Sequence, residues 1–173
     1  MSAPGLRLVT SSVDETRKVG AAIAGVLVAG DFVLLAGDLG AGKTALTQGL
    51  GRALGIDEPI TSPTFTLVRQ YPPAGPHGLM LLHADVYRLD GSLEIADLGL
   101  AELVDDEGRP AVAVVEWGDM AEPVLPQDFC AIRIGFPEDG ADDERTLEFR
   151  LVGSWAPRAR LLAEALAPWS VAP

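Results

Sequence analysis

Cysteine, histidine and lysine are all scarce in this chain. One cysteine, Cys130, in 173 residues rules out an internal disulfide framework and a multi-cysteine zinc site. Two histidines, His77 and His83, are too few for a histidine-rich metal centre. Only two lysines, Lys18 and Lys43, stand beside eleven arginines, and 13 basic against 25 acidic groups leave a net charge of −12. That balance excludes a protein held to phosphate backbones by bulk attraction, which needs many Lys and Arg. The longest apolar stretches, such as Ala21–Ala29, are too short to span a bilayer. Met1–Thr10 has no basic start followed by an apolar run and a cleavage site, so a cytoplasmic protein with no membrane association is expected. No internal repeat recurs.

What is present is ordinary globular composition, with 48% apolar and 22% charged residues. The length predicts a single domain over residues 1–173, with 168–173 as a loose tail. Leu6–Val9 reads as an edge strand. Ser12-Val13-Asp14-Glu15 fits a capping box. A helix is expected after it, with Val19, Ala22, Ile23, Val26 and Leu27 on one face, ending at Gly30-Asp31. Phe32–Ala36 and Ala111–Val115 are continuous apolar runs, the mark of strands buried on both faces. Lys43–Leu54 reads as a helix stopped by Gly55. Phe65–Tyr71 and Leu79–Ala84 read as β, Pro72–Gly78 as a turn, Ser92–Leu103 as weakly helical and Asp105–Pro110 as a loop. Cys130–Phe136 and Arg145–Val152 form a hairpin around the acidic turn Pro137–Glu144, and Pro157–Leu166 is a closing helix. Strands alternating with helices, then a hairpin, predict an α/β fold.

Between the first buried strand and the next helix lies Gly37-Asp38-Leu39-Gly40-Ala41-Gly42-Lys43-Thr44, a match to G-x-x-x-x-G-K-[ST]. Glycines let successive backbone N–H groups turn inward around phosphates without Cβ clashes. The helix N-terminus adds positive potential. Lys43 then reaches the β/γ-phosphates and the Thr44 hydroxyl ligates Mg²⁺. The expected nucleotide contacts are Asp38, Leu39, Gly40, Ala41, Gly42, Lys43, Thr44 and Ala45, with ATP and Mg²⁺ as cofactors. One of only two lysines sits where an ammonium is required.

Such a site needs a second carboxylate at a strand end. Asp85 follows Leu79–Ala84 and Glu116 follows Ala111–Val115. Strand C-termini in open α/β sheets face the ligand crevice, so each could hold Mg²⁺, directly or through water, or orient the attacking water. Each could equally be a solvated loop acid. Trp117 is either a purine-stacking ring or a core tryptophan. Thr64, after Ser62-Pro63, is either a switch threonine that senses the γ-phosphate or a strand-entry residue. His83 reads as a satisfied core histidine, Arg88 as an ion-pair partner or phosphate contact, and Cys130 as a small buried apolar residue.

Taken in order, GDLGAGKT at Gly37–Thr44, SPTFTLV at Ser62–Val68, HADVYRL at His83–Leu89, VEW at Val115–Trp117 and the later Leu125-Pro126 resemble the bacterial TsaE (YjeE-like) family. These are small P-loop ATPases of tRNA threonylcarbamoyladenosine synthesis. The likeness runs from the first helix to about Phe136. It implies a P-loop NTPase-like three-layer sandwich, with a mixed, mainly parallel central sheet and a C-terminal antiparallel hairpin. It implies catalytic roles for Lys43, Thr64, Asp85 and Glu116, metal roles for Thr44, Glu116 and Asp85, and nucleotide contacts for Trp117 and Thr16. It also implies weak, partner-dependent ATP hydrolysis that supports turnover of a complex of TsaD-like and TsaB-like proteins, with tRNA (modified at position 37) met only indirectly. Ala84 departs from the pattern, because relatives often carry a bulky aromatic there.

Two other readings remain. A P-loop small-molecule kinase has similar length, but its usual arginine-rich lid is not visible here. A nucleotide-dependent binding module with negligible hydrolysis is the other. A GTPase is disfavoured, because neither lysine lies in an Asn-Lys-x-Asp pattern.

Overall fold

The computed structural model describes residues 6–171 apart from Thr64, Pro76, His77 and Glu107. The Thr64 assignment lies outside the described residues. So do positions 76–77 of the expected turn, 107 of the expected loop and 172–173 of the expected tail.

The elements are β1 (Arg7–Thr10), α1 (Val13–Ala24), β2 (Phe32–Ala36), α2 (Lys43–Ala53), β3 (Val68–Tyr71), β4 (Met80–Asp85), α3 (Ser92–Ala96), α4 (Leu100–Val104), β5 (Ala111–Glu116), α5 (Gly118–Ala121), β6 (Phe129–Gly135), β7 (Arg145–Val152) and α6 (Ala159–Leu166). The strands form one sheet in the order β1-β7-β6-β2-β5-β4-β3. The four central strands, β6-β2-β5-β4, run parallel. Antiparallel ladders flank them: β6–β7 and β7–β1 on one side, β3–β4 on the other.

Alternation along the strands divides the core into two layers. Val33 and Leu35 of β2, with Val112, Val114, Ile132 and Ile134, meet α1, α2 and α6 through Val19, Ile23, Leu46, Leu50 and Leu162. Phe32 and Leu34, with Leu82, Ala84, Ala113 and Val115, meet Ile95, Leu100, Val104 and Ala121 on the opposite face. Strands covered on both faces need continuous apolar sequence, which is why β2 and β5 are buried at every position. Ala84 is fully buried in the second layer. The second helical layer does not extend over the outer face of β6 and β7, where Arg133, Glu148 and Arg150 are exposed.

Several boundaries differ from expectation. Helix α1 ends at Ala24, not at Gly30-Asp31, because i→i+3 bonds from Val26 to Ile23 and from Leu27 to Ala24 tighten the chain into a turn. Val26 and Leu27 stay buried, so the apolar periodicity outlasts the helix. The Ser12 hydroxyl accepts from the Glu15 amide as a capping box requires, but the Glu15 carboxylate turns to the amide and hydroxyl of Ser11 instead of Ser12. Those bonds hold the Glu15 carboxyl below its usual range. The β segment 65–71 shortens to β3, the weakly helical stretch splits into α3 and α4, and the closing helix opens with a 3₁₀ segment, Gly153–Arg158. The expected loose tail is tied down as far as Val171: 167–169 is a 3₁₀ turn, Ser170 bridges Leu8, and the Val171 amide donates to the Arg7 carbonyl.

Two glycines set how close α1 comes to α2. A Cβ on Gly20 would lie 2.1 Å from the Leu46 carbonyl oxygen, and one on Gly49 would lie 1.8 Å from that of Arg17. Backbone therefore packs on backbone, and α1 is brought against the start of α2. Among the described residues no helix is long and apolar enough to cross a membrane.

Candidate functional site

The loop between β2 and α2 is shaped by glycine. Gly42, at φ +111°, starts α2 in the left-handed region. Gly37 has φ +146° and lies against β6, where a Cβ would come 2.2 Å from the Ile134 carbonyl oxygen. Lys43, only 5% exposed, folds back over the loop and donates to the carbonyls of Gly37 (2.6 Å) and Asp38 (2.9 Å). Burial pulls its ammonium below the usual lysine pKa, while Glu116, Asp85, Asp38 and Asp119 oppose that shift.

β4 and β5 end side by side, with Asp85 opposite Glu116 in the ladder. Both carboxylates therefore emerge at the edge of the cleft, and both are largely buried. Glu116 Oε1 accepts from the Thr44 hydroxyl at 2.8 Å and from His83 Nε2 at 2.9 Å. Asp85 is pinned by the Ser62 hydroxyl (2.7 Å to Oδ2) and the Tyr87 amide (3.0 Å to Oδ1). Its own amide donates to the Leu67 carbonyl. Trp117 takes a left-handed backbone at φ +60°, uncommon outside glycine. That turn sets the indole over the Lys43 ammonium, 4.2 Å from the ring centre, and against Tyr87 at 4.7 Å.

Lys43, Asp85, Glu116 and Trp117 face one cleft of about 480 Å³. Of the sequence-predicted residues, Leu39, Gly40, Gly42, Lys43, Thr44, Ala45, Asp85, Glu116 and Trp117 lie on its wall. Asp38 contributes its carbonyl to Lys43. Ala41 is fully buried, and its carbonyl accepts from Arg145 Nε at 3.1 Å. Thr16 sits behind the loop, with its methyl facing Gly42 and its hydroxyl bonded to Thr10 and Ser12. The α1 residue on the cleft wall is Val13.

Sequence reasoning missed Val13, Ser62 and Tyr87 as wall residues. Arg88 also lines the cleft and stacks on Phe65. Arg145 was missed as well. It joins the β6–β7 turn to the phosphate loop and stacks on Phe136 at 4.2 Å. Ser62 sits within a quoted motif, but nothing in the spacing singles out Arg145.

The donor set fits a magnesium nucleotide. A hydroxyl and two carboxylates are hard oxygen donors. Among the described residues no three His, Cys, Asp or Glu side chains cage a metal, so a cation here would need further oxygen ligands, of the kind that phosphate and water offer. Two carboxylates beside a phosphate cradle would repel a polyanion unless a divalent cation lay between them.

The family model described as "Threonylcarbamoyl adenosine biosynthesis protein TsaE" matches residues 10–147. A tRNA threonylcarbamoyladenosine biosynthesis protein TsaE from Streptomyces coelicolor is 43% identical over 143 residues, 81% of this chain and 93% of that protein. The protein of the same description from Bacillus subtilis is 39% identical over 157 residues, 91% of this chain and 90% of that one. The crystal structure of Bacillus subtilis YdiB aligns with a TM-score of 0.73 and 34% identity, covering 97% of each chain. A family model matched over most of the chain, and relatives about 40% identical over most of both lengths, show that the chain belongs to the TsaE family.

Proposed function

We propose that this protein binds ATP with Mg²⁺ in the cleft and hydrolyses it slowly, serving tRNA threonylcarbamoyladenosine formation through TsaD-like and TsaB-like partners. The observation that carries the reading is the Thr44–Glu116 hydrogen bond at the mouth of the glycine loop that holds Lys43. It joins the loop to the sheet where phosphate and cation chemistry coincide.

Each residue then has a task. The loop amides and the α2 N-terminus bind the phosphates. Lys43 exchanges the Gly37 and Asp38 carbonyls for β/γ-phosphate oxygens. Thr44 and Glu116 would hold Mg²⁺, which would supply neutralisation of phosphate charge. Asp85 is held on both oxygens by Ser62 and Tyr87, which suits it to orient the attacking water more than to ligate the metal. Trp117 and Val13 offer apolar walls to the nucleoside. Thr64 remains a candidate for sensing the γ-phosphate.

With a net charge of −12, docking to protein partners is favoured over direct capture of tRNA.

The test is phosphate release from ATP by wild type and Glu116→Gln, with and without the partner proteins. Release should fall on the order of 100-fold in the variant, the scale of a few kcal/mol of lost charge stabilisation. Phosphate appearing on an added metabolite would favour a kinase, and binding without release a nucleotide-dependent module. Reconstitution with the partners, ATP, a threonylcarbamoyl donor and tRNA checks the biological part. Multiple-turnover modification that is unchanged when this protein is left out would overturn it.

A further inference from the structure

His83 is one of the buried polar side chains to which the proposed cycle gives no task. His83 is fully buried on β4, two residues before Asp85 and on the same face. It faces the α1–α2 layer, as Leu81 does on the same strand. Its Nε2 lies 2.9 Å from Glu116 Oε1. A carboxylate offers only acceptors, so the donor in that contact is Nε2–H. The other ring nitrogen, Nδ1, is sealed from solvent with no partner among the described residues. Burying an unpaired polar atom is unfavourable, and an apolar side chain of similar size would avoid it. What His83 contributes at this position is therefore the bond to Glu116.

Glu116 Oε1 already accepts the Thr44 hydroxyl. Two donors thus converge on one oxygen, while among the described residues no donor meets Oε2. A carboxylate oxygen held by one donor can still shift about that bond, whereas two donors from different elements fix where that oxygen sits.

We infer that His83 is a positioning residue. Resting on the nucleotide–Mg²⁺ reading of the cleft, it locks Glu116 Oε1 together with Thr44 and so reserves Oε2 for the cation. The contact joins β4 to β5 and, through Thr44, to α2. It makes the cation-binding geometry depend on strand register as well as on the phosphate loop.

The test uses the full chain and a fluorescent ATP analogue, titrated with Mg²⁺ and in EDTA. The variants are His83→Leu, His83→Asn and His83→Gln. The glutamine amide reaches about as far as Nε2, whereas the asparagine amide stops near Nδ1. In EDTA all three should bind the analogue within about threefold of wild type. The Mg²⁺ concentration for half-maximal effect should rise about tenfold or more for Leu and Asn, as for other lost outer-sphere partners of a metal ligand. It should return to within about threefold for Gln. Thermal melting of each variant checks folding, and if the Leu variant does not fold, the Asn and Gln pair decides. A folded Asn or Leu variant with the wild-type Mg²⁺ midpoint overturns the assignment, as does a folded Gln variant shifted as far as Leu. Wild type that binds no analogue at any Mg²⁺ concentration overturns the nucleotide reading itself. A Mg²⁺-responsive wild type with an equally responsive Leu variant overturns only the role of His83.

Discussion

An ammonium group taken out of water loses hydration that backbone carbonyls replace only in part. Lys43 is in that position, 5% exposed and held by two carbonyls. Burial lowers its pKa in the folded chain. Between that lowered value and the ordinary lysine value the unfolded chain binds more protons, so stability rises with pH across that alkaline window. At neutral pH the charged lysine therefore opposes folding. Lys43→Met keeps the apolar stem and removes the charge. Its nucleotide-free form is expected to melt at or above the wild-type temperature at neutral pH, with the gap closing toward about pH 10. Its nucleotide affinity should fall about 30-fold, the scale of a lost hydrogen bond to a charged group. Melting curves at the two pH values and a fluorescent-nucleotide titration check both halves. Lys43 and Thr44 were legible because the loop motif is contiguous. The Thr44–Glu116 bond was not, since it joins residues 72 apart. Only the register that sets Asp85 opposite Glu116 brings the two strand ends together, and spacing alone does not encode register.

Helix α1 bears on the site through its contact with α2. Gly20 and Gly49 allow backbone to touch backbone there, and no rotamer change can relieve an added methyl against a carbonyl. Gly49→Ala should cost about 1–3 kcal/mol, as overpacking does. For a chain of this size that lowers the melting temperature by roughly 2–10 °C. Because α2 begins at Lys43, the same shift should also weaken nucleotide binding, which a titration beside the melt would register. Buried central strands were the most legible elements, since a continuous apolar run of five residues bounded by turn signals suits a doubly covered strand and is too short for a helix. The end of α1 was misread because Val26 and Leu27 continue its apolar pattern through a turn. α5 spans four residues and begins with glycine, so it carries no periodic signal. A Cβ on that glycine, Gly118, would lie 2.6 Å from Leu34 Cβ, a steric demand that only the tertiary structure reveals.

Across the whole molecule, the C-terminal segment is fastened to the sheet by an ion pair between distant parts of the chain. Arg158 donates twice to Asp31, at 2.7 Å each, and once to the Val26 carbonyl, while stacking on Trp155 at 4.2 Å. Asp31 also accepts from the Val28 amide and is nearly buried. Its carboxylate, first by hydrogen bond and then by charge, holds the Arg158 guanidinium above its usual pKa. Arg158→Met leaves that carboxylate buried without its partner and should cost about 3–5 kcal/mol in urea unfolding. Adding Asp31→Asn should recover part of the loss. Neither residue stood out in the sequence, because an acid after a glycine and an arginine near a helix start both read as surface.

The bridge from Leu8 to Ser170, with the Val171 amide on the Arg7 carbonyl, brings the first strand and the last turn together at one edge of the sheet. Two segments that meet in this way, here 7–10 and 167–171, can be joined by a linker and the chain reopened elsewhere. A circular permutant reopened in the acidic turn 137–144 would leave the residues of the cleft wall outside the cut and disturb the contacts Arg145 makes to that turn. It would separate what the site owes to spatial packing from what it owes to the order of synthesis.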